Sequence, residues 1–248
     1  YGGSIATATF HGETVNAQDV MEGVGSYYGG EIELEELQQL ERVVCPGEGA
    51  CPGMFTANTM AAAAEALGIA IPGSASLLAS DARNLDLANQ AGQAVFDALK
   101  RGLLPRDIMT RKAFENAVTL VLALGGSTNA VLHLLAIAHE ARVQLDLHDF
   151  DILSARTPYL ADLKPGGRFV MADVDDIGGI PMVLRELLDS GLIHGDVMTV
   201  TGHTMAENLE SVTQRPDGKS VHPTSTPRSP TGGLVVLKGN LAPDGAVM

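Results

Sequence analysis

Apolar residues recur at helical spacing in five segments of the first 143 residues, and each segment is predicted to be a helix. These segments are residues 31–44, 54–68, 84–102, 110–126 and 128–143. The first sets its apolar residues among acidic ones, which is typical of a helix that buries a single face. The last two are apolar on nearly every side, so we expect both to be buried.

The pattern changes between residues 167 and 202, where strand-like and helix-like stretches alternate. A short strand is predicted at the start of this region, before a helix predicted at 179–190. The β-branched run from Val197 to Thr201 then predicts a second strand. Together these stretches indicate a strand–helix–strand unit and therefore an α/β fold.

A proline-rich segment at 214–231 separates this region from the end of the chain. It holds four of the twelve prolines and predicts a linker or an extended crossover, so we place a domain boundary near residue 222. The stretch "GGLVVLKGNLAPDGAVM" then predicts a strand, a turn at Pro243-Asp244-Gly245 and the first residues of another strand. Because this last strand stops as it begins and the chain starts at Tyr1, we expect a fragment of a longer polypeptide.

Composition and charge narrow the classes of function. With 248 residues, 45% hydrophobic and 19% charged, the chain is typical of a globular protein with a sizeable core. Its net charge of −14 disfavours nucleic acid as a partner, and no apolar stretch is long enough to span a membrane. Two cysteines are too few for a disulfide scaffold, which favours a reducing compartment such as the cytoplasm or an organelle matrix.

Both cysteines lie in the stretch "CPGEGACPGMFTANTM", which runs into the second predicted helix. Cys51 is expected two or three residues before the helix start, where the helix dipole stabilises a thiolate that could bind a metal. Cys45 and Cys51 could equally be ordinary thiols. Their C-x5-C spacing differs from the C-x2-C of thiol-redox sites, and two thiols cannot complete a structural zinc site or an iron–sulfur cluster.

A second candidate is the turn "GGSTN" between the two apolar helices. Ser127, Thr128 or Asn129 can cap the helix that follows, and a helix start rich in glycine and hydroxyl groups can bind an anion. The alternative is a plain helix–helix turn. What supports a role in a cleft is that both flanking helices are expected to be buried.

Other chemistry-bearing residues have simpler interpretations. Asp173, Asp175 and Asp176 could attract Mg²⁺, but they lack a calcium-loop pattern and are better explained as caps of the helix near Gly179. The histidines at positions 133 and 139 share a helix but point to different faces, so they do not form a metal pair.

Six stretches in order along the chain resemble the family of dihydroxy-acid, 6-phosphogluconate and sugar-acid dehydratases. They are "YGGSI", "CPGEGACPGMFTANTM…EALG…PGS", "ALGGSTNAVLHLLAIAHEA", "DLKPGGRFVMADVDDIGGIPMVLRELLDSGLIHGD", "TVTG…ENL" and "GGLVVLKGNLAPDGAV". The resemblance implies that residues 1–222 are the later part of an N-terminal α/β domain. It also implies that residues 223–248 are the first strands of a C-terminal β-barrel domain.

The same resemblance implies a lyase that dehydrates a 2,3-dihydroxy acid to a 2-oxo acid, with an iron–sulfur cluster (2Fe-2S or 4Fe-4S) and Mg²⁺. Cys51 matches the last of three cysteine ligands of that cluster, whereas Cys45 flanks the motif and is not a ligand. Pro52 stands where the family has a small residue. The remaining ligands and the catalytic base lie outside this stretch, so no catalytic residue is assigned within it.

The form "GACPGMFTANTM" resembles the members of branched-chain amino-acid biosynthesis, which favours a 2,3-dihydroxy-3-methyl acid as the small-molecule substrate. A sugar-acid or 6-phosphogluconate dehydratase is the alternative. An inactive homologue that serves as a scaffold is a third hypothesis. We expect the full-length protein to be a homodimer or higher homo-oligomer, and the 248-residue chain alone to lack dehydratase activity.

Overall fold

A computed structural model describes all residues from Tyr1 to Met248. It contains eleven helices and four short strands. In chain order they are β1 Ala8–Phe10, β2 Glu13–Val15, α1 Ala17–Gly29, α2 Leu34–Val43, α3 Thr56–Ala66, α4 Arg83–Arg101, α5 Pro105–Ile108, α6 Arg111–Leu124, α7 Asn129–Ala141, α8 Leu147–Arg156, α9 Met171–Asp176, α10 Gly179–Asp189, α11 Met205–Leu209, β3 Val236–Gly239 and β4 Ala242–Val247. The chain is therefore mostly helical, and none of its helices combines the length and hydrophobicity that a membrane crossing requires.

The six predicted helices are confirmed as α2, α3, α4, α6, α7 and α10. Two longer helices were missed, α1 and α8. Each begins with a polar residue whose side chain accepts a backbone N–H, Asn16 for α1 and Asp146 for α8, and each carries an aspartate three residues later that completes a capping box. That spacing was the signal in the sequence that could have found them.

The core is centred on α6 and α3. Every residue of α6 from Ala117 to Leu124 is buried, as its apolar pattern predicted. Helix α3 packs against α6 with a face made mostly of alanines. Because alanine has a short side chain, the two helices can approach closely while both remain buried.

Helix α7 differs from the prediction because only one of its faces is buried. Ala130, Val131 and Leu134 point into the core, whereas Leu132 is 66% exposed. A helix at the edge of a helical layer contacts its neighbours along one stripe, whatever the composition of its outer face.

The predicted strand–helix–strand unit is wrong, although its helix α10 is present. The run Val197–Thr201 forms a turn with one bridge, between Met198 and Thr204. Within it, the Thr199 hydroxyl donates to the carbonyl of His203 at 2.8 Å. Threonine side chains that bond to nearby backbone compete with strand pairing, which explains why a β-branched run did not form a strand.

The strands form two separate antiparallel hairpins, β1–β2 and β3–β4. The turn of the second hairpin lies at Asn240-Leu241, and the predicted turn Pro243-Asp244-Gly245 lies within β4 instead. Gly239 pairs with Ala242, so two residues suffice to reverse the chain. The boundary near residue 222 remains a prediction.

Candidate functional site

Residues 45–55 connect α2 to α3 and are called the cysteine loop. The thiols of Cys45 and Cys51 are both free and exposed. The three residues after Cys51 are buried, namely Pro52, Gly53 and Met54. The loop therefore presents the Cys51 thiol at the surface from a backbone that is fixed immediately behind it.

One side of the cysteine loop is held by the start of the chain. The amide of Ala50 donates to the carbonyl of Gly3 at 3.0 Å, and the amide of Ile5 donates to the carbonyl of Ala50 at 2.7 Å. Gly49 has φ +128°, and a Cβ there would lie 2.4 Å from the nitrogen of Ile5. Only glycine permits this approach, so the loop and the first segment fit as backbone against backbone.

The other side of the loop is held by the segment before α9. The amide of Met54 donates to the carbonyl of Lys164 at 2.7 Å, and the amide of Met171 donates to the carbonyl of Pro52 at 2.8 Å. Both bonds join residues within three positions of Cys51 to a segment more than 100 residues later in the sequence. The position of Cys51 is therefore set in part by this distant segment.

Asn58, in the first turn of α3, ties the loop to the helix. Its Nδ2 donates to the carbonyl of Cys51 at 2.7 Å and to that of Gly53 at 2.6 Å, and its Oδ1 accepts from the hydroxyl of Tyr1. The side chain is fully buried. The sequence analysis did not single out this residue; the signal was an asparagine in the first turn of an alanine-rich helix.

The expected position of Cys51 relative to the helix is corrected. Helix α3 begins at Thr56, so Cys51 lies five residues before it rather than two or three. The two carbonyls held by Asn58 account for this, since a backbone bonded to a side chain does not join the helix. The pKa of the Tyr1 hydroxyl is raised, mainly by burial and also by the negative charge of Cys51.

The second candidate meets the cysteine loop at the start of α3. Ser127 Oγ lies 3.3 Å from Thr56 Oγ1 and accepts the amide of Asn129, the first residue of α7, at 3.2 Å. Asn129 Nδ2 donates to Thr56 Oγ1 at 2.8 Å. Thr128 and Asn129 are exposed, and Ser127 is half-buried. The structure therefore brings this turn and the loop that carries Cys51 to the same end of α3.

The aspartates of the third candidate have other roles. Asp173 accepts the amide of Val170 at 2.7 Å and so caps α9, not the helix that begins at Gly179 as predicted. Asp175 pairs with Arg83 and accepts the hydroxyl of Ser76 at 3.2 Å. The prediction placed the caps one helix too late because the six-residue helix α9 was not anticipated.

Candidate metal ligands do not cluster in this structure. No group of three or more His, Cys, Asp or Glu side chains has a geometry that could hold a metal ion, and both histidines of α7, at positions 133 and 139, are exposed. An iron–sulfur cluster fits the Cys51 thiol as one ligand, because the thiol is free, exposed and held on a fixed backbone. Its other ligands would have to come from another segment.

Comparisons with known proteins give one consistent family of matches. Residues 1–208 match the family described as "Dihydroxy-acid/6-phosphogluconate dehydratase N-terminal". The chain is 55% identical over 249 aligned residues to the dihydroxy-acid dehydratase of Acidothermus cellulolyticus, an alignment that covers 100% of the chain and 45% of the relative.

Two other relatives give the same result. Dihydroxy-acid dehydratase 2 of Staphylococcus saprophyticus is 53% identical over 100% of the chain and 44% of its own length. The dihydroxy-acid dehydratase of Mycobacterium tuberculosis is 56% identical over 93% of the chain and 40% of its own length. The chain thus spans less than half the length of the curated relatives it matches.

Proposed function

The chain belongs to the dihydroxy-acid/6-phosphogluconate dehydratase family, and on that basis we propose that it is part of a hydro-lyase that converts 2,3-dihydroxy-3-methyl carboxylic acids to 2-oxo acids. The reaction removes the C2 proton and the C3 hydroxyl as water, and the resulting enol tautomerises to the ketone. Such a reaction serves branched-chain amino-acid biosynthesis. Identities of 53% to 56% with proteins named dihydroxy-acid dehydratase support this choice.

Cys51 is assigned as one thiolate ligand of an iron–sulfur cluster, either 2Fe-2S or 4Fe-4S. When bound, such a cluster supplies a Lewis acid for the departing hydroxyl. The observation that carries this assignment is the free, exposed thiol on a backbone fixed by Asn58. The contribution of this chain is to orient that ligand; Mg²⁺ and its ligands are assigned to the remainder of the protein.

Ser127, Thr128 and Asn129 are proposed to contact the substrate. Their turn meets the cysteine loop at the first residues of α3, and the positive end of the α7 helix dipole lies at this turn. A carboxylate is the substrate group that such a helix start would attract.

In the complete protein, we propose that residues 1–222 belong to an N-terminal α/β domain and that the β3–β4 hairpin opens a C-terminal β-barrel domain. A homo-oligomeric assembly is proposed as well. A 6-phosphogluconate dehydratase is the second candidate, because the matched family is described by both substrates.

The test is a chimera in which this chain replaces the aligned 249 residues of the Acidothermus cellulolyticus relative. Three versions are compared, namely the native chain, Cys51→Ser and Cys45→Ser. Cluster content is measured by iron analysis and visible absorbance, and turnover is measured with 2,3-dihydroxy-3-methylbutanoate and with 6-phosphogluconate.

We expect the native chimera and Cys45→Ser to retain the cluster and to turn over the dihydroxy acid, and Cys51→Ser to lose both. Cluster retention by Cys51→Ser would overturn the ligand assignment. Preference for 6-phosphogluconate would favour the second candidate, and a native chimera that binds the cluster without any turnover would favour an inactive scaffold.

A further inference from the structure

Glu65 is a carboxylic acid inside the core, on a helix that is otherwise nearly all alanine at that point. The residue lies in the last turns of α3 and is only 3% exposed. Acidic side chains are almost never buried to this extent unless a partner compensates them, so its surroundings need an explanation.

The partners of Glu65 are backbone amides of the connector, residues 69–79, which leads from α3 toward α4. The amide of Gly73 donates to Oε2 at 2.9 Å, and the amide of Ala75 donates to Oε1 at 2.6 Å. Ser74 lies between them, and its amide also faces the carboxyl group. Both oxygens are therefore used to hold a single turn of the connector.

No charged side chain acts on this carboxyl group. Glu65 borders a small cavity whose only other polar side chains are Thr199 and Asn208. Helices α10 and α11 face it with side chains that do not titrate, namely Pro181, Leu184, Met205, Asn208 and Leu209. Burial is the dominant effect and outweighs the amide donors, so the pKa of Glu65 rises from 4.5 to about 7.

The turn that Glu65 holds leads directly to the residues of the connector that bond to the start of the chain, next to the cysteine loop. Two residues beyond Ala75, the carbonyl of Leu77 accepts the amide of Ser4 at 3.0 Å, and the amide of Ala79 donates to the carbonyl of Ser4 at 2.8 Å. Ser4 also pairs in parallel with Ala50, the residue before Cys51. Three backbone segments thus lie side by side, from the connector through the start of the chain to the cysteine loop.

We propose that Glu65 is a positioning residue that clasps the connector and thereby holds the segment beneath Cys51, and that the clasp loosens when the carboxyl group becomes ionised. Ionisation favours opening because the charged carboxylate is then solvated rather than buried. The link from this loop to a cluster ligand rests on the proposed function. The contact between Glu65 and the connector does not depend on it.

The test is hydrogen exchange of the 248-residue chain at pH 6 and pH 8, with each rate divided by the intrinsic rate at that pH. The reporting amides are the donors of the three-segment contact, at positions 4, 5, 50 and 79. Amides inside α6 report global opening. The variants are Glu65→Gln and, as a control, Glu140→Gln, which replaces an exposed carboxyl group on α7.

With a pKa of about 7 when closed and 4.5 when open, linkage predicts about tenfold lower protection of the reporting amides at pH 8 than at pH 6. The Glu140→Gln chain should behave in the same way, and Glu65→Gln should remove the pH dependence. A side chain that only fills space would not produce this pH profile.

Three results would overturn the proposal. These are an unchanged pH dependence in Glu65→Gln, equal protection of the reporting amides at both pH values in the native chain, and a loss of protection in α6 as large as that in the reporters. If Glu65→Gln does not fold, the pH dependence of the reporting amides in the native chain, compared with that of the α6 amides, still tests the proposal. Because exchange does not depend on a cluster or on turnover, its outcome is distinct from that of the chimera.

Discussion

Replacement of Asn58 by alanine tests whether this residue holds the cysteine loop. The substitution removes both hydrogen bonds that Nδ2 donates, to the carbonyls of Cys51 and Gly53, and also the bond that Oδ1 accepts from the half-exposed Tyr1. The carbonyl of Gly53 is buried, so leaving it without a partner should cost about 1–3 kcal/mol. Cys51 is exposed and water can replace its donor, so the second bond should contribute about 1 kcal/mol. We therefore expect the free energy of unfolding to fall by about 2–4 kcal/mol.

The assay is urea unfolding of the native chain, Asn58→Ala, Asn58→Asp and Asn129→Ala, followed by circular dichroism. Asn58→Asp keeps the shape of the side chain but replaces its donor with an acceptor, so it should be destabilised at least as much at pH 7. Asn129 is an exposed asparagine with one bond to Thr56, and its replacement should cost less than about 1 kcal/mol.

A result in which Asn58→Ala unfolds within 1 kcal/mol of the native chain would refute the reasoning. So would a clearly stable Asn58→Asp, because the carboxylate oxygen in place of Nδ2 would then face two carbonyl oxygens without penalty. Either outcome would mean that the loop is held by its backbone bonds to the first segment and to the segment before α9.

Two further predictions concern other parts of the fold. Gly49→Ala places a side chain against the backbone of Ile5 at φ +128°, so we expect it to lower the free energy of unfolding by about 1–3 kcal/mol, measured by thermal unfolding. The control Gly47→Ala has open space around it and should change stability little. Equal effects of the two substitutions would exclude the close approach at Gly49. The hydrogen bond from Arg111 lowers the pKa of Asp149, so Arg111→Gln should lower the free energy of unfolding by up to about 1 kcal/mol at neutral pH. This loss of stability should vanish as the pH falls below the pKa of Asp149 in the folded chain. A loss that persists in acid would indicate that Arg111 stabilises the fold by packing instead.

The sequence by itself was sufficient for the main helices and for the family. Helical spacing of apolar residues identified α6 because the bonds that make a helix join residues only four apart, so the local pattern carries the information. The sequence also placed Cys51 in a stiff glycine- and proline-rich loop. Its motifs indicated the dehydratase family that the comparisons then matched over residues 1–208.

Only the tertiary structure decided how that loop is held and which polar residues matter around it. The pairing of Ser4 with both Ala50 and Leu78 joins segments up to 74 residues apart, and no local pattern specifies such a contact. The same is true of Glu65, which resembles any acidic residue of a helix until its burial is known. The run Val197–Thr201 has the composition of a strand, but it lacks a neighbouring strand, and its threonines bond to the nearby turn. Strand pairing and burial are set by distant partners, whereas a helix is set largely by its own residues.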